Sequence, residues 1–112
     1  MTWDDVVEIA SGLPGVEVST SYGTPALKVK GKGFARLRTE AECGLMLRCG
    51  LDEKEALLAA GDPAFFTTPH YDGHGSILVD LTRIDRERLT EMITDAWRDR
   101  APVRLRKEFD RS

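Results

Sequence analysis

Trp3, Val6, Val7 and Ala10 recur at helical spacing and give the start of the chain one apolar face. Thr2, with Asp5 three residues on, is a weak capping-box pair that opens this helix. Gly12, Pro14 and Gly15 close it. A short strand is expected at Val16 to Ser19, followed by a turn-rich patch from Thr20 to Pro25.

Ala26 to Arg38, ALKVKGKGFARLR, reads as a hairpin around Gly31-Lys32-Gly33. A two-residue turn at Gly31-Lys32 would put Arg36 on the same face as Leu27 and Val29. A three-residue turn at Gly31-Lys32-Gly33 instead pairs Lys30 with Phe34, Lys28 with Arg36 and Leu27 with Leu37. Leu27, Val29, Ala35 and Leu37 then share one face, and Lys28, Lys30, Phe34, Arg36 and Arg38 share the other. A one-residue slip would turn an apolar set into water, so the second register is expected.

Alternation continues from Cys43 to Cys49, with Leu45 and Leu47 set against Met46 and Arg48. A second helix is expected from Asp52, with Glu55 three residues on, to a terminal glycine at Gly61. Ala64 to Thr67 and Ser76 to Leu81 read as strands. A third helix starts after Asp85, buries Leu89, Met92, Ile93, Ala96 and Trp97, and is followed by Pro102. Hairpins imply antiparallel pairing, and the apolar helix stripes need a sheet to cover. The expected class is α+β, a single domain over residues 1–112 with an antiparallel sheet and helices packed on one face.

The length and the 41% hydrophobic, 31% charged composition suit one soluble domain with a modest core. No apolar run reaches membrane-spanning length. Acids in MTWDDVVEIASG oppose a secretory signal, so a cytoplasmic protein is expected, with no membrane partner. Cys43 and Cys49 flank a strand that would set their Cα atoms roughly 20 Å apart, beyond disulfide reach. Their spacing matches no common zinc signature either.

The net charge is −3, yet residues 26–38 hold Lys28, Lys30, Lys32, Arg36 and Arg38 and no acid. Arg98, Arg100, Arg104, Arg106 and Lys107 form a second basic run, opposed within it by Asp99. Such segregation marks a candidate anion-binding face, on which Phe34 could stack against a base or sugar. The competing reading is a solvated, lysine-rich sheet face neutralised by Glu40 or Glu42.

The stretch TTPHYDGHG, residues 67–75, concentrates both histidines, a tyrosine and a carboxylate. Pro69, Gly73 and Gly75 oppose the helix that would align His70 and His74 on a metal. No nucleophile elbow, oxyanion element or cofactor motif accompanies a His70–Asp72 pair. A turn is expected, with a residual ligand-contact role for His70 and Tyr71. No metal and no cofactor are expected.

LPGVE at 13–17, TSYGTPALKV at 20–29, KGFARL at 32–37, TPHYDGHGSILVDL at 68–81, and AW with APVRL at 96–105 together resemble the MmcQ/YjbR family. The resemblance implies a CyaY-like α+β fold and a double-wing arrangement associated with DNA binding. It brings no catalytic residues. The leading expectation is therefore a small, non-enzymatic, monomeric protein that binds nucleic acid weakly and without sequence preference. Its contacts would be Lys28, Lys30, Lys32, Phe34, Arg36 and Arg38. The alternative is a binding module for a protein or small molecule near Tyr22, His70 and Tyr71, and an enzyme comes third.

Overall fold

The computed structural model describes residues 1–21, 23–38 and 44–111. Tyr22, Cys43 and the acids Glu40 and Glu42 lie outside them. Four helices and six strands follow in chain order: α1 (Trp3–Ala10), β1 (Val16–Ser21), β2 (Thr24–Val29), β3 (Lys32–Leu37), β4 (Leu45–Arg48), α2 (Leu51–Ala59), β5 (Phe65–Phe66), β6 (Ser76–Val79), α3 (Arg86–Arg100) and α4 (Val103–Arg111). The strands form one sheet in the order β1-β2-β3-β4-β6-β5, and every pair is antiparallel.

Strand alternation divides the sheet. Leu27, Ala35, Leu47 and Ile77 lie opposite one another across four strands, all buried. Leu45, Val79 and Phe65 form the next buried row. The α3 stripe Leu89, Met92, Ile93, Ala96 and Trp97, as expected from its spacing, covers this face together with Val6 and Ala10 of α1. Asp85 caps α3 by accepting a hydrogen bond from Arg88 N at 2.7 Å. The capping box of α1 is complete, with Thr2 N donating to Asp5 Oδ2 at 2.8 Å and Asp5 N donating to Thr2 Oγ1.

The hairpin departs from both registers considered above. Val29 pairs with Lys32, so the turn is the two-residue pair Lys30-Gly31, with φ of 49° and 78°. Positive φ at both positions is the type I′ geometry, which matches strand twist. Lys28 then faces Gly33 and Leu27 faces Ala35, and a bulge leaves Phe34 unpaired between them. The extra residue swings Phe34 into the core, where it is fully buried. It is therefore not a stacking surface on the basic face. The expected Lys28–Arg36 pair is also absent, because Arg36 lies opposite Ala26.

Two helices differ from expectation. α2 starts at Leu51 with Gly50 as N-cap and no side-chain cap, so Asp52 sits inside its first turn rather than before it. α4 was not anticipated, because Pro102 reads equally well as the stop after α3. Here its carbonyl accepts from Leu105 N and Arg106 N and starts the new helix. α4 folds back so that Phe109 meets Trp97 edge-on at 5.4 Å, and Arg98 pairs with Asp110. Leu105 reaches Gly15, where a Cβ would stand 2.8 Å from Leu105 Cδ1. Gly15 also has φ of 71°, so both space and backbone call for glycine there.

Candidate anion-binding face

The face of the sheet opposite α1 and α3 carries the row Ala26, Arg36, Met46 and Leu78, fixed by strand register. Ala26 and Leu78 are buried, although they point away from the main core. The segment 67–75 crosses this row. It is a turn, as expected: Tyr71 N and Asp72 N donate to Thr68 O, and His74 N donates to Tyr71 O.

Lys54 of α2 holds this turn in place. Its side chain is buried, and its ammonium donates to Tyr71 O at 2.5 Å and His74 O at 3.1 Å. Two carbonyl dipoles thus compensate a charge that would otherwise be costly to bury. Nothing in the sequence marked Lys54, since one lysine on a short charged helix looks like any solvated residue. Its partners are backbone atoms supplied by a turn about twenty residues away.

Tyr71 is the centre of the cluster that results. Arg36 donates to its hydroxyl at 2.8 Å and to Thr24 Oγ1 at 3.2 Å. The Arg38 guanidinium lies 5.3 Å from the Tyr71 ring centroid, and His70 meets that ring edge-on at 4.9 Å. Arg36 and Arg38 from the hairpin and His70 and Tyr71 from the turn are thus brought together. Arg38 is buried and Arg36 half-buried, so neither points freely into solvent as the expected register required.

Beside this cluster lies a cleft of about 460 Å³. Its lining includes Lys28, Arg36, Arg48 and Arg100. Its lining also includes the small or flexible groups Ala26, Gly33, Ala35 and Met46. Lys30 and Lys32 are exposed at the hairpin end nearby. Among the described residues no carboxylate lines the cleft, and Asp99 lies beside two of the arginines. Its Oδ2 is 3.5 Å from Arg48 Nε and 3.8 Å from Arg100 Nε. Neither Nε–H makes a hydrogen bond among the described residues, and both are shielded from solvent. Such an arrangement can hold an anion, because each guanidinium presents fixed donors suited to oxygen acceptors.

Arg48 was not among the candidate residues, and Arg100 entered only as a member of the second basic run. Arg48 was legible in part, since it alternates with Leu47 on the outward side of β4. The charge of Arg100 was legible but its place was not, because only the packing of α3 across the sheet brings its last turn to the cleft. Cys49 is a free, buried thiol, which burial, with a smaller push from the Glu53 charge, raises to about 11. The rings of His70 and His74 stack with centroids 6.3 Å apart. Among the described residues no three His, Cys, Asp or Glu side chains come together in a way that could hold a metal, and no helix is long and apolar enough to cross a membrane.

Comparison with known proteins gives two findings. A chain from Mycobacterium bovis and one from Mycobacterium tuberculosis H37Rv, both named as uncharacterized proteins, are each 32% identical to this chain over 122 aligned positions. The alignments cover 96% of this chain and 95% of each relative. No solved structure matches significantly. The family model described as YjbR matches residues 11–99, which span β1 to nearly the end of α3 and contain Lys28, Arg36, Arg48, Lys54 and Tyr71. The chain belongs to the YjbR family.

Proposed function

We propose that this protein is a non-enzymatic nucleic-acid-binding protein that grips the phosphate backbone with the face around the cleft. The observation that carries the reading is the gathering of Lys28, Arg36, Arg48 and Arg100 around one concavity in a chain of net charge −3. Lys30 and Lys32 extend the positive surface along the hairpin. With Phe34 in the core, no aromatic of the hairpin is left to stack on bases. Contacts would therefore fall on phosphates and carry little sequence information.

The test is titration of labelled DNA duplex at about 50 mM salt. Neutralising about four phosphates gives a slope of log K against log salt near −3 to −4. Lys28→Glu with Lys32→Glu should abolish binding without unfolding, as both lie outside the core; Arg36 is avoided because it also holds Tyr71. No binding by the wild type even near 10⁻⁴ M, the range of non-specific binders, would end this reading. Equal binding by wild type and variant would move the contact to another surface.

A second reading, a module for a small molecule or protein at His70 and Tyr71, draws support from the arginines gathered at Tyr71, Arg36 on its hydroxyl and Arg38 over its ring. Against it, Tyr71 is buried and its hydroxyl already accepts from Arg36, which leaves His70 as the exposed member of the pair.

A further inference from the structure

We propose that two copies of this chain pair edge to edge through β1, antiparallel and centred on Val18, in place of the monomer expected from the sequence. β1 ends the sheet, and among the described residues no strand lies on its outer side. Natural sheets guard such edges with short strands, lysine, proline or bulges. The opposite edge is guarded in this way, because β5 has only two residues. β1 has none of these devices. It runs for six residues, VEVSTS, in unbroken register with β2. Val18 at its middle is 61% exposed, the most of any large hydrophobic side chain among the described residues. It stands opposite Leu27, so it shares the face that α1 and α3 cover, yet it lies beyond their cover.

The alternation of backbone groups fixes the register. Val29 and Lys32 flank a two-residue turn, so their N–H and C=O groups face each other between β2 and β3. Alternation then turns Lys28 and Ala26 toward β1, and turns their partners Glu17 and Ser19 toward β2. Val16, Val18 and Thr20 are left with N–H and C=O groups aimed outward. Two such edges join only where outward residues face one another. With the dyad at Val18, Val18 meets its twin and Val16 meets Thr20 of the other copy. Each of these pairs exchanges both N–H···O bonds. Glu17 then faces Ser19 of the other copy, with its own Lys28 beside it on β2. A dyad at Glu17 would set two carboxylates directly opposite, which is destabilising. A dyad at Ser19 would place Val18 against Thr20 and form fewer outward pairs. Only the dyad at Val18 covers the exposed valine with its twin. That dyad is perpendicular to the sheet, so both copies present the Arg36 face on the same side.

Sedimentation equilibrium from about 5 µM to 1 mM should show a reversible dimer, half-formed at roughly 0.1 mM, since one strand pair is a small interface. Over that range, hydrogen exchange at the Val16, Val18 and Thr20 amides should slow about threefold or more. Glu17 and Ser19, already bonded to β2, should change little. Val18→Lys puts like charges at the dyad and should raise the dissociation constant at least about tenfold. It leaves the fold intact, because Val18 lies outside the core. Val103→Lys, at another exposed apolar side chain, should leave the dimer unchanged and so separates strand pairing from general apolar association. A monomer at every concentration overturns the proposal. So does a dimer whose three amides stay unprotected, or one that Val18→Lys does not weaken. Protection of those amides with no gain in mass would place another part of the same chain on the edge, and overturns it as well.

Discussion

Lys54 shows how much of the candidate face depends on a single side chain that never touches the cleft. Its ammonium fixes the backbone at Tyr71 and His74, and the Tyr71 hydroxyl in turn orients Arg36 in the cleft lining. Lys54→Met nearly keeps the length of the side chain but removes the ammonium, leaving each carbonyl with its one backbone donor, His74 N on Tyr71 O and Ser76 N on His74 O. A loss of about 1.5–3 kcal/mol is expected, the contribution of hydrogen bonds made by a charged group, read as a lower urea midpoint. Amide exchange at His74, whose N–H donates to Tyr71 O, should speed up more than exchange in β4. Unchanged stability and exchange would show that the turn holds its shape without Lys54. The fate of Phe34 belongs to the same scale. One bulged residue moved an aromatic from the expected outer face into the core, and alternation alone gives no warning of a bulge.

The hairpin is the element on which the candidate face is built, and its turn is not optimised. Lys30 sits at φ 49°, a left-handed conformation that disfavours lysine, whereas Gly31 at φ 78° bears no such penalty. Asparagine is the preferred first residue of a type I′ turn. Lys30→Asn should therefore raise stability by about 0.5–1 kcal/mol, a part of the ~1–2 kcal/mol left-handed penalty. The check is the thermal midpoint. A fall in stability would mean that the lysine side chain is held by contacts that outweigh its backbone strain. α4 is the other informative element. Its buried anchor Leu105 and its half-buried Phe109 were in plain view as residues, yet Pro102 serves equally as the stop of one helix and the start of the next. Its place is set by Trp97 and Gly15, which it meets only once α3 is docked.

For the whole molecule, the charged groups set the response to acid. Hydrogen bonds from the Thr2 backbone and side chain, and the attraction of the N-terminal amine and Arg86, hold Asp5 below its ordinary value of 3.8. Thr82 side-chain and backbone hydrogen bonds do the same for Asp80, and Arg98 does so for Asp110. A carboxylate with a lowered folded-state value stabilises the fold fully above its unfolded value. That contribution is lost as the pH falls through the folded one. Stability should thus hold steady down to about pH 4–5 and decline below it, measurable as the urea midpoint across pH 2–7. Asp110→Asn should flatten part of that decline. A profile that falls between pH 5 and 7 instead would point to groups other than these three.

The sequence by itself determined the class of the fold, the antiparallel pairing, the α3 stripe and the turn at 67–75. Each rests on local signals: periodicity of apolar residues, caps such as Asp85, and glycine and proline at breaks. It also determined that the hairpin is basic in an acidic chain, and its motifs pointed to the family that the comparisons establish. Only the tertiary structure decided which cations share a site. Strand order placed Arg36 and Arg48 on one face, and the crossing of α3 carried Arg100 to the same cleft. Lys54 drew the turn over the sheet, and a bulge took Phe34 away. These contacts join residues far apart in the chain, and their positions follow from how whole elements dock, which no local pattern encodes.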